Sequence, residues 1–444
     1  MNWQPKYVSA QFGSGVSIPT RRQFSKLLLG SGLLTNSELW PAFAQSNPSG
    51  PAAAPDCDLL IKGGTVIDPS QKLHAPLDVA VKDGKILEIA PDIAVSRAAD
   101  VVYAKGKLVT PGLIDVHVHV YEGVGASGVS ADMYCLGRGV TTVVDTGSAG
   151  YAAIAGLRKY IIKTSATRIF ALVDIGGLGV LVGLKDSLMN LNWVNPQLTA
   201  RAAEENKPDV IGIKVRLTKD YTGANDLEIL KRALEAAEAT HLPLMVHIGD
   251  SYSPLPALLS RMRRGDVITH CYTSLPHGVL DANGKILPEV LDARQRGVLF
   301  DVGAGTFYLD FEVAEKCLQQ GFLPDTIGSD LASSSAKRPT FDLVTTLSKF
   351  LLLGLSLDQV IERVTVAPTR LFNFGTDLGS LKPGGEADIT ILESREGTLF
   401  MDQYGKSRKT QQKLVSAAAV RHGRLYVTQS EELVARAATT ASGA

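Results

Sequence analysis

Two kinds of hydrophobic patterning divide the chain. Between Asp58 and Leu108, short apolar runs (Leu59-Leu60-Ile61, Thr65-Val66-Ile67, Leu77–Val81, Ile86–Ile89) alternate with turn-forming sequences such as Lys62-Gly63-Gly64 and Lys82-Asp83-Gly84-Lys85. They predict a small antiparallel β unit. The same character returns at Leu378–Leu392 and Ala417–Val427. A small β-sandwich built from both chain ends is therefore expected, with parts at 57–110 and 376–430. The middle is different. Continuous apolar runs recur at Leu113–Val118, Val140–Val144, Ile169–Val173, Val210–Val215, Leu244–Val246, Val267–Thr269, Val298–Val302 and Thr326–Gly328. Helical patterns, Leu227–Ala239 and Phe311–Gln319 among them, fall between several of these runs. Strands that are apolar throughout belong to a parallel sheet covered by helices. Eight of them predict an α/β fold, a (β/α)8 TIM-like barrel over 111–375 whose active site lies where the strands end. A doubly wound open sheet is the alternative, but no glycine-rich nucleotide turn follows the first run.

Composition narrows the partners. The 444 residues carry 45 Lys plus Arg and 45 Asp plus Glu, so no long-range field attracts nucleic acid or an anionic membrane. Cys57, Cys135, Cys271 and Cys317 lack CxxC spacing, which excludes a disulfide framework and leaves room for one incidental bridge. Near the N-terminus, Thr20-Arg21-Arg22-Gln23-Phe24-Ser25-Lys26 precedes the weakly apolar run Leu27–Leu34 and the small-x-small site Ala42-Phe43-Ala44. This resembles a twin-arginine export signal over 1–44, against the alternative of an amphipathic surface helix. The run is far short of the ~20 residues that span a bilayer, so the expected location is the periplasm, free of the membrane after cleavage. That route carries folded proteins, so metal could be loaded before export. Residues 45–56 read as a flexible linker and 431–444 as a tail.

The chemistry lies at the strand ends. His117 and His119 end the first run, Lys214 the fourth, His247 the fifth and His270 the sixth, while Asp330 follows the eighth. Alternate strand residues share a face, so His117 and His119 both point inward and offer two imidazoles to one ion. Any one of these histidines, taken alone, is more readily a packed core residue. Four histidines, a lysine and an aspartate on one rim argue against that for the set.

Pro111-Gly112-Leu113-Ile114-Asp115-Val116-His117-Val118-His119 resembles the strand-one signature of the amidohydrolase superfamily. Ala367-Pro368-Thr369-Arg370-Leu371 and Gly379-Ser380-Leu381-Lys382-Pro383-Gly384 resemble the closing segment of its cyclic-amidohydrolase (dihydroorotase and hydantoinase) branch. Thr269-His270-Cys271-Tyr272 through Phe300-Asp301-Val302-Gly303 to Asp330 is similar to the deacetylase-like group of that branch. The resemblance implies two divalent metal ions, with zinc best suited to histidine-rich, thiol-free ligation. It also implies N6-carboxylation of Lys214, whose carbamate would bridge the ions. One ion would then take His117, His119, Lys214 and Asp330, and the other Lys214, His247 and His270. A hydroxide bridging such a pair forms near pH ~7. It would attack an amide or ester carbonyl, with Asp330 moving the proton to the leaving group. The alternative for Lys214 is an unmodified lysine paired to an acid.

Substrate-binding candidates are Arg216, which shares the inward face of Lys214, and by the same parity Tyr121 and Tyr272. Arg216 would hold a carboxylate or else pair with a barrel acid. Cys271 is expected between sheet and helices, and His277 in a solvated loop. His241, His74 and His422 should lie away from the metals. Ala304 stands where deacetylase-like relatives often carry a histidine, which leaves the substrate open. The readings are hydrolysis of an acylated amino or hydroxy acid or a cyclic amide, a mononuclear deaminase on the same fold, or a catalytically silent periplasmic binding protein. The deaminase normally needs a glutamate near the strand-five histidine, and His247-Ile248-Gly249-Asp250 supplies none. A homo-oligomer is the usual state of such folds.

Overall fold

The structure, a computed structural model, describes residues 55–181, 183, 187–336, 342–397, 399–402 and 404–428; the twin-arginine segment and the tail lie outside these residues. The first strands are β1 (Cys57–Asp68), β2 (Leu73–Lys82), β3 (Lys85–Ala90), β4 (Ala98–Tyr103) and β5 (Leu108–Pro111). Lys62-Gly63-Gly64, expected to be a turn, is instead a bulge inside one continuous strand, the β1–β2 register shifting between Ile61 and Gly64. Glycine is required there because a Cβ on Gly64 would stand 2.4 Å from Val109. The second expected turn is real, with both Asp83 (φ 48°) and Gly84 (φ 73°) left-handed, the torsions a tight hairpin needs.

The central sheet follows with β6 (Leu113–Val118), β7 (Val140–Gly150), β8 (Arg168–Asp174), β9 (Val210–Arg216), β10 (Leu244–His247), β11 (Val267–Thr269) and β12 (Leu299–Asp301). All seven are parallel neighbours in sequence order. The eighth run forms no strand, but Thr326 within it bridges Asp301 at one edge of the sheet, and Leu331, three residues beyond it, bridges Val118 at the other. Helices Asp226–Thr240 and Phe311–Gln319 lie where the periodicity places them.

The chain then returns to the first sheet through β13 (Ile389–Glu396), β16 (Gln412–Arg421) and β17 (Arg424–Val427), with β14 (Leu399–Met401) and β15 (Ser407–Lys409) forming a separate hairpin. In hydrogen-bonding terms the flanking strands form one eight-stranded sheet in the order β17-β16-β13-β5-β1-β2-β3, with β4 branching from β1. The N-terminal half of β1 pairs with β4 and its C-terminal half with β5, so apolar side chains gather on both faces. Among the described residues no helix is long and apolar enough to cross a membrane.

Most core residues lie between the central strands and the helices. A second cluster, with Ile114, Val116, Leu172, Met245 and Val267 meeting Phe372 and Phe374, fills the inner face below the strand ends. Burying each such side chain contributes about 1.5–3 kcal/mol. These two layers fix the strand ends in space, and the buried polar residues on the rim cost stability rather than adding it.

Candidate metal centre

Residues from six places on the rim converge. His117 Nε2 lies 3.5 Å and His119 Nε2 3.4 Å from Asp330 Oδ1. Among the described residues these three form the one His/Cys/Asp/Glu group compact enough for an ion, their donor atoms lying within 4.8 Å of one another. Lys214 Nζ is 3.4 Å from His117 Nε2. Beside them His270 Nε2 faces His247 Nδ1 at 2.9 Å, and the His117 and His270 rings are 5.1 Å apart. The structure thus brings together all six of the residues expected to bind metal.

Local backbone features produce the convergence. Ile114 and Val116 belong to the inner apolar cluster, so strict alternation would turn His117 outward. The β6–β7 register advances from Asp115 to Val118 while β7 moves only from Val143 to Asp145, and this bulge swings His117 in. His270 (φ 73°) and Asp330 (φ 50°) are both left-handed, which aims their side chains away from the strand direction. Four glycines leave the necessary room. A Cβ on Gly305 would stand 2.2 Å from Asp330, on Gly303 2.7 Å from His270, on Gly328 2.7 Å from His117 and on Gly147 2.8 Å from Lys214.

The imidazoles are oriented from behind. His117 Nδ1 bonds Thr269 Oγ1 (2.9 Å), whose hydroxyl donates to Asp301 Oδ2 (2.7 Å). His119 Nδ1 bonds Ser148 Oγ at 3.0 Å, and His270 Nδ1 donates to the Gly303 carbonyl at 2.7 Å. With Nδ1 so engaged, each Nε2 is left toward the cluster, the arrangement metal-binding histidines adopt. Burial, reinforced by nearby cationic groups, holds His117, His247 and His270 far below the usual imidazole value, so they are neutral and carry a lone pair at pH 7. Burial pushes the Asp330 carboxyl up, but His117, His119 and Lys214 outweigh it and leave it lowered and ionised. Lys214 is brought down to about 8, chiefly by burial.

Two observations test whether these residues fit a metal. His247 Nε2 is buried with no hydrogen-bond partner. Lys214, 4% exposed, bonds an imidazole nitrogen and the Met245 sulfur, and among the described residues no carboxylate lies within ion-pair distance of it, so the expected alternative of an acid-paired lysine is not found there. The partnerless His247 nitrogen, the neutral imidazoles beside it and the ionised Asp330 offer lone pairs that a cationic ligand would accept, and among the described residues no acid holds Lys214 in its charged form. The donor set fits.

Some sequence expectations need correction. Tyr272 does not reach the site: it is fully buried, its hydroxyl donates to the Phe322 carbonyl at 2.7 Å, and its ring packs on Phe350. Parity with His270 failed because the left-handed turn at His270 breaks the alternation. Tyr121 is likewise packed in the sheet–helix layer, its hydroxyl toward the Ala153 carbonyl. Arg216 does reach the rim, its Nη2 3.4 Å from the Tyr308 hydroxyl. Tyr308 was missed: its ring lies 3.8 Å from that of His270 and 4.9 Å from that of His247, yet it comes from a loop with no readable motif. Asp301, already within the DVGAG stretch, and Thr269 were legible only as neighbours of chosen residues. Ala304 packs in the sheet–helix layer. His241 caps the helix at Thr240, His74 pairs with Asp358, His422 with Glu386, and His277 bonds Ser251. All four cysteines are buried and free.

No protein-family model matches the chain. Individual proteins do. A deacetylase of Enterococcus faecalis is 33% identical over 376 residues, 84% of this chain and 99% of that protein. A dihydroorotase of Aquifex aeolicus is 26% identical over 79% of this chain and 94% of its own. Among solved structures, an adenine deaminase superimposes with a TM-score of 0.78 at 32% identity, over 84% of this chain and all (100%) of that one. A dihydroorotase gives 0.77 at 26% identity over the same shares, 84% and 100%. A D-hydantoinase, 20% identical with a TM-score of 0.56 over 84% of this chain and 95% of its own, shares the fold. The chain therefore belongs to the amidohydrolase superfamily, in the branch of the deacetylases, dihydroorotases and hydantoinases, and is a metal-dependent hydrolase of non-peptide carbon–nitrogen bonds in small molecules.

Proposed function

We propose that the centre is binuclear and that the enzyme removes an acyl group from an amino or hydroxy acid, within a closed (β/α)8 barrel completed by residues 326–331. His117, His119 and Asp330 would hold one ion, and His247 and His270 the second, with a carboxylated Lys214 between them. The observation that carries this reading is the spacing. Donor atoms face one another at 2.9 to 3.5 Å, and the lone pair of the buried His247 Nε2 meets no hydrogen-bond partner. Ligands bonded to one tetrahedral zinc at about 2.0–2.1 Å are separated by about that much. The ions would supply Lewis-acid polarisation of the scissile carbonyl and a water acidic enough to attack near neutral pH.

The chain's own groups do the rest. With its value near 8, a useful fraction of Lys214 is the neutral amine, whose lone pair can add to carbon dioxide with loss of one N–H proton. Asp330, kept ionised, accepts the proton of the attacking water at a carboxylate oxygen and delivers it to the leaving nitrogen or oxygen. The adenine deaminase likeness supports a second reading, deamination of a purine ring. The missing glutamate beside His247 and the presence of Lys214 favour acyl transfer.

Metal analysis with turnover of N-acetyl amino acids, acetylated hydroxy acids and adenine tests the set. Two ions per chain and chelator-sensitive deacylation support it; adenine turnover alone would install the deaminase. We also propose periplasmic export through Arg21-Arg22, on the paired arginines, Phe24 and Lys26, the weakly apolar run Leu27–Leu34 and the small-x-small site Ala42-Phe43-Ala44. Replacing both arginines by lysine should retain the protein in the cytoplasm on fractionation.

A further inference from the structure

We infer that Arg216 anchors a carboxylate on the substrate, so that the enzyme takes acylated acids and discriminates against their neutral amides. This names the substrate class of the hydrolase reading above and rests on it.

Arg216 ends β9, two residues beyond Lys214, and is the register partner of His247 on the neighbouring strand. Its side chain is only partly exposed, yet no carboxylate among the described residues lies within ion-pair distance. Its partners are hydroxyls at long range, Thr218 Oγ1 at 3.3 Å from Nε and Tyr308 at 3.4 Å from Nη2. A guanidinium has five N–H donors. Most of them therefore have no partner among the described residues.

The surroundings hold the group rather than neutralise it. Its carbon sits 4.1 Å from the centre of the Tyr221 ring, a stacking that fixes the guanidinium plane. Tyr308 holds one end, and its own loop is clipped from outside by the Tyr404 hydroxyl, which donates to the Phe307 carbonyl at 2.7 Å. The positive charge also opposes ionisation of His247 and His270, so it adds to an already cationic rim. A braced, half-buried, unpaired guanidinium in that field calls for an anion, and its planar fork matches a carboxylate in two parallel bonds. One tyrosine ring separates it from the imidazoles. The short distance between the carboxylate and the acyl carbonyl of an N-acyl amino acid suits that interval.

The test uses metal-replete full-length protein with N-acetylphenylalanine and N-acetylphenylalaninamide, each as both enantiomers. They share the scissile bond and differ only in the carboxylate. Wild type should favour the acid by about 100-fold in kcat/KM, and Arg216→Gln should abolish that preference mainly through KM, leaving the amide within a few-fold. Arg216→Lys, which keeps the charge without the fork, should restore only part of it. Equal turnover of acid and amide by wild type, or equal losses on both in R216Q, would overturn the assignment. Calorimetric titration with N-acetylphenylalanine provides a readout apart from activity. If neither compound is hydrolysed, the deacylase reading fails for this acyl group. The anchor still stands if R216Q weakens binding of the acid about tenfold or more, and falls if wild type does not bind it or both proteins bind it alike.

Discussion

Asp330 and His270 adopt left-handed torsions that a residue with a side chain holds at a cost of about 1–3 kcal/mol. That cost persists because neighbouring glycines give the side chains room, and Gly305 is the sharpest case, its absent Cβ being 2.2 Å from the Asp330 carboxylate. Gly305→Ala should displace Asp330, cutting kcat/KM by about 100-fold or more and lowering metal content, while far-UV circular dichroism stays unchanged. Lys214→Ala should reduce bound metal and lower kcat by at least about 1000-fold; full metal content and turnover in that variant would remove the binuclear reading. The convergence of the six residues expected to bind metal was legible because their residue types are rare at strand ends and recur around the rim. Their inward aim was not fully legible: His117 depends on a bulge, and Tyr272 lost its expected place to the torsion of His270. Tyr308 gave no signal, because a loop carries no periodicity from which to read direction.

At the scale of elements, six of the eight central runs were read to within a residue at either end, because strands buried on both faces are apolar without interruption; the second strand runs on to Gly150, six residues past its expected end, and the eighth run forms only a bridge. Lys62-Gly63-Gly64 was misread since glycines that allow a turn also allow a bulge. The joint between the two sheets was not visible at all, being made of charges far apart in sequence. Arg168, at the start of β8, pairs with Glu386 (3.1 Å) and Asp388 (3.2 Å), while Lys85 and His422 also contact Glu386. Burial pushes the Glu386 carboxyl up, but hydrogen bonds from Lys85 and His422 and the charges of Arg168 and Lys85 more than reverse that and bring it to about 2. A carboxylate lowered in the folded state stabilises it at pH values above about 4.3, its unfolded value, and that contribution is lost as pH falls toward 2. Glu386→Gln should cost about 2 kcal/mol at pH 7, since the cations lose their partner. Between pH 5 and 3 its melting temperature should fall less steeply than that of wild type. Parallel curves would show that the cluster contributes nothing through this group.

For the whole molecule, the separation of core from rim decides what metal removal does. The sheet–helix layer and the inner plug contain none of the six converging residues, so hydrophobic burial does not depend on the ions. The stripped protein is therefore expected to keep its secondary structure, unlike small domains that need metal to fold. It should nevertheless be less stable. Ions bind the assembled rim and have no comparable site in the unfolded chain, where the six residues are scattered between His117 and Asp330. Binding at 1,000 times the dissociation constant adds about 4 kcal/mol. For a chain this long each kcal/mol moves the melting temperature by about 1 °C, so loss of an ion bound that tightly should lower it by about 4–5 °C. Differential scanning calorimetry of chelated and zinc-reloaded protein measures this directly. A chelated protein that loses its far-UV signal would place the ions within the folding core, and one that melts unchanged would mean the rim binds no metal in the native state.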